Sequence, residues 1–297
     1  MISNRTFAER TPQVWMEEIR TVTPPAGCAA IWFFGQESMV FKGQQTVIHV
    51  DPFYSNYLEH HYGAKRAFPS LLQPEDVTIA DYVLITHEHE DHLDRWTLTA
   101  IATQCPQARF VAPACCRPIL EADCQIGPER IIDALTGDWM ELAGKDEQEQ
   151  IRIKPVPAAH ETLQTTGSER EHRYVGYLIE MNGVKLYHAG DTLVYPGLPE
   201  MLLEERIDIG MLPINGRDYY RNSRGLIGNM NYREAAELAA QAQMDTVIPL
   251  HYDLFAGNSE KPGYFVQELY ERTPGQKCHV MARGERYVYV SPGAFMK

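Results

Sequence analysis

His87, His89, Asp91 and His92 fall within one short run, Thr86-His87-Glu88-His89-Glu90-Asp91-His92-Leu93-Asp94. Three imidazoles and a carboxylate this close together do not suit an apolar core, and a merely solvated loop rarely gathers them. Imidazole nitrogen and carboxylate oxygen are ligands for zinc and its first-row neighbours. The run follows Tyr82-Val83-Leu84-Ile85, an apolar segment with strand composition. A strand that delivers donors at its end holds them rigidly. The chain must therefore fold so that further donors reach the same strand end. Sheets with helices outside do this, because their chemistry collects at the C-terminal ends of strands.

Three later positions qualify as the remaining donors. His160 ends the segment Ile151 to Ala159, Asp191 follows Val184-Lys185-Leu186-Tyr187, and His251 follows Thr246 to Leu250. Each has an ordinary alternative: a histidine bonded to backbone, a turn or cap aspartate, a core histidine. Their shared placement after strand-like runs favours the site reading. His188 is not counted as a ligand, since successive strand residues point to opposite faces.

His87-x-His89-x-Asp91-His92, then His160, Gly190-Asp191 and His251, resembles in content and order the metallo-β-lactamase superfamily of metal-dependent hydrolases. Within it the chain is most similar to the L-ascorbate-6-phosphate lactonase-like group. That match uses Trp32-Phe33-Phe34-Gly35-Gln36, Asn215-Gly216-Arg217, Arg224-Gly225 to Asn229-Met230, and Pro249-Leu250-His251-Tyr252-Asp253. The resemblance implies an α/β fold, a four-layer αββα sandwich, over one domain spanning 1–297.

The ligand types suit two divalent ions, zinc or manganese, with iron also compatible. His87, His89 and His160 can make one face, and Asp91, His92 and His251 a second. Asp191 has two oxygens and can bridge them. Asp91 and Asp191 are the expected catalytic carboxylates. Two such ions share a hydroxide and stabilise an oxyanion. The expected activity is hydrolysis of a small phosphorylated sugar lactone such as L-ascorbate 6-phosphate. The alternatives are a phosphodiesterase, a di-iron redox protein and an inactive metal-binding module of the same fold. The di-iron version usually carries an acidic residue where this chain has His89.

For a 297-residue chain, a net charge of −13 and a pI near 5.3 argue against a nucleic-acid partner. They leave room for a small anionic substrate, since metals and a few arginines supply local positive charge. The start, Met1 to Arg10, has no apolar core and does not read as a secretion signal. No apolar run approaches the length that spans a bilayer. Six cysteines without a C-x-x-C pair suit a reduced, cytoplasmic protein. A homo-oligomer stays open.

Along the chain, Thr11 to Thr21 carries Val14, Trp15 and Ile19 at helical spacing. Ala29–Phe34, Ser38–Phe41 and Thr46–Val50 read as a strand meander. Phe53 to Gln73 reads as a loop beside the site, with Tyr54, Tyr57, His60 and His61 as candidate pocket wall. Further strands are expected at Tyr82–Ile85, Arg109–Ala112, Ile151–Val156, Tyr174–Met181, Val184–His188, Ile207–Pro213, Thr246–Leu250 and Cys278–Arg283. Asn182-Gly183 predicts a type I′ hairpin turn. Asn231 with Glu234 makes a capping box for a helix from Tyr232 to about Ala242, and Pro262–Glu271 predicts another helix.

For substrate contacts, Arg217, Arg221 and Arg224 lie between two ligand-bearing segments, and arginine forks suit phosphate or carboxylate. A solvated basic loop is an equal alternative. Asn215 and Gln36 are candidates to position a carbonyl.

Overall fold

The computed structural model describes residues 10–295. The reading of the first residues as no secretion signal concerns positions 1–9, outside the described residues.

Pro12 opens α1 (Pro12–Thr21), where a missing N–H costs nothing, and the helix buries Trp15, Met16 and Ile19. β1 (Cys28–Phe33), β2 (Met39–Lys42) and β3 (Val47–Val50) form an antiparallel meander. After α2 (Tyr57–Tyr62) the chain changes mode. β4 (Tyr82–Leu84), α3 (Arg95–Gln104), β5 (Arg109–Ala112), α4 (Arg117–Ala122) and β6 (Ile131–Asp133) add strands in parallel.

The second sheet repeats that change. β7 (Met140–Ala143), β8 (Gln150–Pro157), β9 (Val175–Met181) and β10 (Val184–His188) are antiparallel. β11 (Ile209–Pro213) follows α5 (Leu198–Glu205) and lies parallel to β10. α6 (Tyr219–Asn222) and α7 (Tyr232–Gln241) lead to β12 (Thr246–Leu250), and α8 (Pro262–Arg272) to β13 (Lys277–Cys278), both parallel additions. β14 (Arg286–Val290) returns to the first sheet and pairs with β1. The strand orders are β14-β1-β2-β3-β4-β5-β6 and β13-β12-β11-β10-β9-β8-β7.

Three apolar clusters separate four layers. Ile31, Phe41, Ile48, Tyr177, Ile179 and Leu186 pack between the sheets. Trp32, Val83 and Phe110 pack with Trp15, Ile19, Leu98, Ile101 and Leu120 on the outer face of the first sheet. Leu178, Tyr187, Leu212 and Val247 pack with Leu202, Leu238 and Phe265 on the outer face of the second. Neighbouring strand residues such as Ile31 and Trp32, or Tyr177 and Leu178, enter different clusters because side chains alternate across a strand. Both faces of each central strand are covered, so these strands read as continuous apolar runs. The result is the four-layer αββα sandwich of the metallo-β-lactamase fold.

The Asn182-Gly183 turn has φ of 51° and 75°, as a type I′ turn requires. Asn182 Nδ2 donates to the carbonyls of Pro25 (2.8 Å), Cys28 (2.8 Å) and Gly43 (3.1 Å), tying this turn to the first sheet. Two expectations change. The strand expected over Cys278–Arg283 stops at Cys278; Gly284, at φ 76°, turns the chain instead, and the final strand is β14. The stretch from Phe53 to Gln73 contains α2, which ends on Gly63 in the left-handed region at φ 71°.

The end of the His/Asp run is anchored by Asp94, which caps α3. Its carboxylate accepts from Trp96 N (3.2 Å), Thr97 N (3.3 Å), Thr97 Oγ1 (2.6 Å), Ser55 N (2.9 Å) and Ser55 Oγ (2.7 Å), fully buried. Asp94→Ala removes a cap worth about 1 kcal/mol and strands buried donors at about 1–3 kcal/mol each. We expect urea denaturation to show a loss of at least about 3 kcal/mol. A loss under about 1 kcal/mol would mean that water replaces the carboxylate.

Candidate metal centre

The donors meet where strand ends of both sheets face one another. Thr86 N donates to Asp51 Oδ1 at 2.8 Å as β4 ends, and the loop then winds tightly, with His92 N and Leu93 N both bonded to His89 O at 2.9 and 2.7 Å. That turn brings His87, His89 and His92 to one side. His160 follows β8; Ala159 N donates to Thr192 Oγ1 at 3.0 Å and Leu193 N to Ala159 O at 2.9 Å, tying it to the Asp191 loop. Asp191 follows β10 across Gly190, whose φ is 59° and whose added Cβ would lie 2.9 Å from the Thr86 side chain and Val175 O. Only glycine fits there. His251 follows β12 at φ 54°, its N–H donating to Gln36 O at 3.0 Å.

Three groups of donor atoms result, each within 4.8 Å: His87 with His89 and His160; His87 with His92 and Asp191; Asp91 with His92 and His251. Asp191 Oδ1 lies 3.5 Å from His92 Nε2 and 3.4 Å from His251 Nε2, while Oδ2 lies 3.6 Å from His160 Nε2. Asp91 Oδ2 lies 3.7 Å from His92 Nε2 and 3.8 Å from His251 Nε2. These separations are long for hydrogen bonds. Two donors each about 2.1 Å from a tetrahedral ion stand about 3.4 Å apart, so the spacing suits donors around a cation. His92 Nε2 and Asp191 Oδ1 are buried without a hydrogen-bond partner, a costly arrangement unless an ion is shared there.

Charge is divided unevenly in the cluster. Burial and the nearby His92 and His89 hold His87 well below the usual imidazole range, and burial pushes His160 down to about 4. Burial acts to lower His92 and His251 too, but Asp191 and Asp91 outweigh it. His92 is raised and His251 reaches about 9. Burial opposes the charge on Asp191, yet His251 and His92 keep it well below the carboxylate range.

A set of buried residues orients the donors, and sequence reading missed its main members. Asp51 Oδ2 lies 2.7 Å from His92 Nδ1, fixing the ring and leaving Nε2 for the cluster. Thr86 Oγ1 donates to the same oxygen at 2.6 Å. Asp51 precedes Pro52 and reads in sequence only as a strand end. Glu37 is fully buried and neither oxygen has a hydrogen-bond partner; burial first, then Asp191, pushes its carboxyl well above the usual range. His188 Nε2 donates to Glu37 O at 3.0 Å and its Nδ1 accepts from Gly190 N at 3.3 Å, so it braces the turn before Asp191.

The structure places the expected substrate contacts unevenly around the site. Gln36 is 1% exposed and off the pocket wall; its Nε2 donates to Asp91 Oδ2 at 2.5 Å and lies 3.2 Å from His251 Nε2. Arg217 is engaged by Glu234 at 2.6 and 2.8 Å, so its fork is occupied within the protein. Arg221 donates to the carbonyls of Asn215, Gly216 and Ser259. Asn215 is buried and donates to Asn258 Oδ1 at 2.9 Å. Arg224 does line the pocket.

The pocket, about 740 Å³, has His89, Asp91, His160, Asp191 and His251 on its floor. Its wall is not Tyr54, Tyr57, His60 or His61. Tyr54 is buried against Phe34 at 5.7 Å, and Tyr57 stacks on His61 at 4.0 Å on another face of α2. Leu58 and Tyr62, one helical turn apart, are the α2 residues on the wall.

A family model described as a β-lactamase superfamily domain matches residues 46–252. The chain belongs to the metallo-β-lactamase superfamily. Among similar proteins, one of Escherichia fergusonii named "Probable L-ascorbate-6-phosphate lactonase" is 27% identical over 207 residues, covering 66% of this chain and 56% of its own length. The chain thus matches just over half the length of that relative. A metal-dependent hydrolase of Pyrococcus furiosus is 24% identical, covering 84% of this chain and 94% of its own. A metallo hydrolase from Ignicoccus hospitalis has the same fold at a TM-score of 0.66 and 23% identity, covering 88% and 98% of the two chains. At its strand ends the chain carries candidate His/Asp metal-binding groups. Among the described residues no helix is long and apolar enough to cross a membrane.

Two outcomes follow from this geometry. Asp51→Ala should weaken zinc binding about 10- to 100-fold in competition with a chromogenic chelator; unchanged affinity would remove Asp51 from its orienting role. His251, at about 9, holds a proton at pH 7 that a metal must displace, and the upward shift of His92 acts in the same direction. Zinc uptake at pH 7 should therefore release protons, and affinity should rise as pH climbs towards 9. Calorimetry in buffers of differing ionisation enthalpy reads this, and a binding enthalpy independent of buffer would contradict it.

Proposed function

We propose that this chain is a dinuclear hydrolase acting on a small anionic lactone or ester, with a phosphorylated sugar lactone such as L-ascorbate 6-phosphate as the first substrate to test. The observation that carries the reading is Asp191, whose two oxygens face different imidazoles, Oδ1 towards His92 and His251 and Oδ2 towards His160. His87, His89 and His160 would hold one divalent ion, Asp91, His92 and His251 the other, and Asp191 would lie between them. When bound, such ions supply Lewis acidity and bring the pKa of water to about 7. Zinc, manganese and iron all suit these donors.

The chain's own groups do the rest. Gln36 holds Asp91 Oδ2, leaving Oδ1 to take a proton from the attacking water and return it to the leaving oxygen. Asp51 and Thr86 keep His92 and His87 oriented, so the floor is preorganised. A clamp on both attacking and leaving oxygens would also serve a phosphodiester, which is the second reading. The net charge of −13 supports a small substrate rather than a nucleic acid, and the six free cysteines support a cytoplasmic setting.

The test is turnover by protein of measured metal content. We expect up to two ions per chain, with chelator abolishing lactone hydrolysis and added zinc or manganese restoring it. Asp191→Ala should lower the content of both ions. Full content in that variant would sink the bridging role. Cleavage of bis(4-nitrophenyl) phosphate but of no lactone or ester would transfer the reading to phosphodiesters.

A further inference from the structure

The wall of the pocket differs in chemistry from its floor. Leu58, Ala64, Leu226, Ile227, Phe255 and Ala256 supply its apolar part. Several of the wall's other polar atoms are committed within the protein. Tyr62 OH donates to Glu90 Oε1 at 3.1 Å, Glu90 also pairs with Arg95 at 3.6 Å, and Asn258 Oδ1 accepts from Asn215.

Two cations remain on the wall, Lys65 and Arg224. Lys65 is exposed and has no ion pair or hydrogen bond among the described residues. Arg224 has no carboxylate partner among them; its Nη1 donates to Tyr220 O at 3.1 Å and its guanidinium lies 3.6 Å over the Tyr220 ring. That stacking holds the group in place without neutralising it. Arg217 and Arg221 are engaged elsewhere, so anion recognition falls to Lys65 and Arg224.

A polyol suits such a wall poorly. Hydroxyls laid against leucine, isoleucine and phenylalanine lose water and gain no partner, whereas methylenes there gain from burial. The volume lies within the range of about 300–1,000 Å³ usual for small-molecule sites, enough for a body larger than a bare lactone ring.

We propose that the pocket selects amphiphilic anions: a lactone or ester with an alkyl, acyl or aromatic body, its one phosphate or carboxylate read by Lys65 and Arg224 while its scissile carbonyl lies over the His/Asp floor. This rests on the lactone or ester hydrolase reading and narrows it away from sugars. The reaction is hydrolysis: the oxygen of water bonds to the acyl carbon, the acyl C–O bond breaks, and the leaving oxygen takes a proton. The products are a carboxylate and an alcohol, joined in one molecule for a lactone, with one proton released.

The test separates body, anion and reaction. Hexyl phosphate and glucose 6-phosphate share an anion and differ in body, so both are titrated calorimetrically into zinc-loaded protein. Hexyl phosphate should bind at least about tenfold tighter. Ile227→Asn with Phe255→Ser should erase most of that preference, with zinc content unchanged as the control for folding. Lys65→Gln with Arg224→Gln should weaken hexyl phosphate about tenfold or more. Equal or tighter binding of glucose 6-phosphate overturns the amphiphile. Unchanged affinity in the double cation variant places the phosphate on the metals and overturns the anion site. Binding in the expected pattern without cleavage of any lactone or ester keeps the pocket assignment and sinks the hydrolase reading. Hydrolysis of a sugar lactone without that pattern does the reverse.

Discussion

Everything in this molecule converges on a buried carboxylate set among imidazoles. Asp191 is 5% exposed and faces His92, His160 and His251 at 3.4–3.6 Å. No apolar environment tolerates such a cluster unless its charges are balanced. The balance comes from layers of support. Asp51 and Thr86 hold the first histidine loop, His188 braces Gly190, and Gln36 spans Asp91 and His251. Each lies on a different strand end, so the cluster depends on both sheets being correctly stacked.

The architecture supplies those ends by repetition. Each sheet starts antiparallel and then adds strands in parallel through helices. Hairpins return the chain at once, but a crossover leaves a strand's C-terminal end free to carry a loop. β4 carries the His87–His92 loop, β10 leads to Asp191 and β12 to His251. β8 contributes His160 at the start of its long connection to β9. The helices that cover the outer faces are therefore a condition of the site, since they let parallel strands exist in a sheet buried on both sides.

How much of this was legible follows from whether a residue's partner is near in sequence or only near in space. The donors were legible because polar residues stood out after apolar runs. Most strands were legible as apolar runs, and Asn182-Gly183 declared its turn by backbone chemistry alone. Asp51 was not legible, because its partner His92 lies 41 positions on and Asp-Pro reads as an ordinary strand end. The partner of Arg217 was not legible, because Glu234 was recognised only as a helix cap. The same carboxylate both accepts from Asn231 N at 2.9 Å and binds Arg217. β14 was missed because Tyr289 is its only fully buried residue and its partner β1 lies at the other end of the chain. Lys65 carried no local pattern at all; only the closure of the pocket puts it on the same wall as Arg224.

Backbone strain tells the same story from another side. Gln36, Asp51, Glu161 and His251 have φ of 58°, 43°, 75° and 54°, a region that residues with side chains rarely adopt. Three of these belong to the donors or their supports, and Glu161 directly follows His160. Such conformations cost about 1–3 kcal/mol each and persist only where the surroundings over-determine them. Here the surroundings are visible. His251 N is bound to Gln36 O, Gln36 N to Asp253, and Asp51 to Thr86 and His92. Local preference alone would relax these turns and let the imidazoles swing apart. Packing of the two sheets holds them instead, so the arrangement of these side chains rests on the stability of the fold.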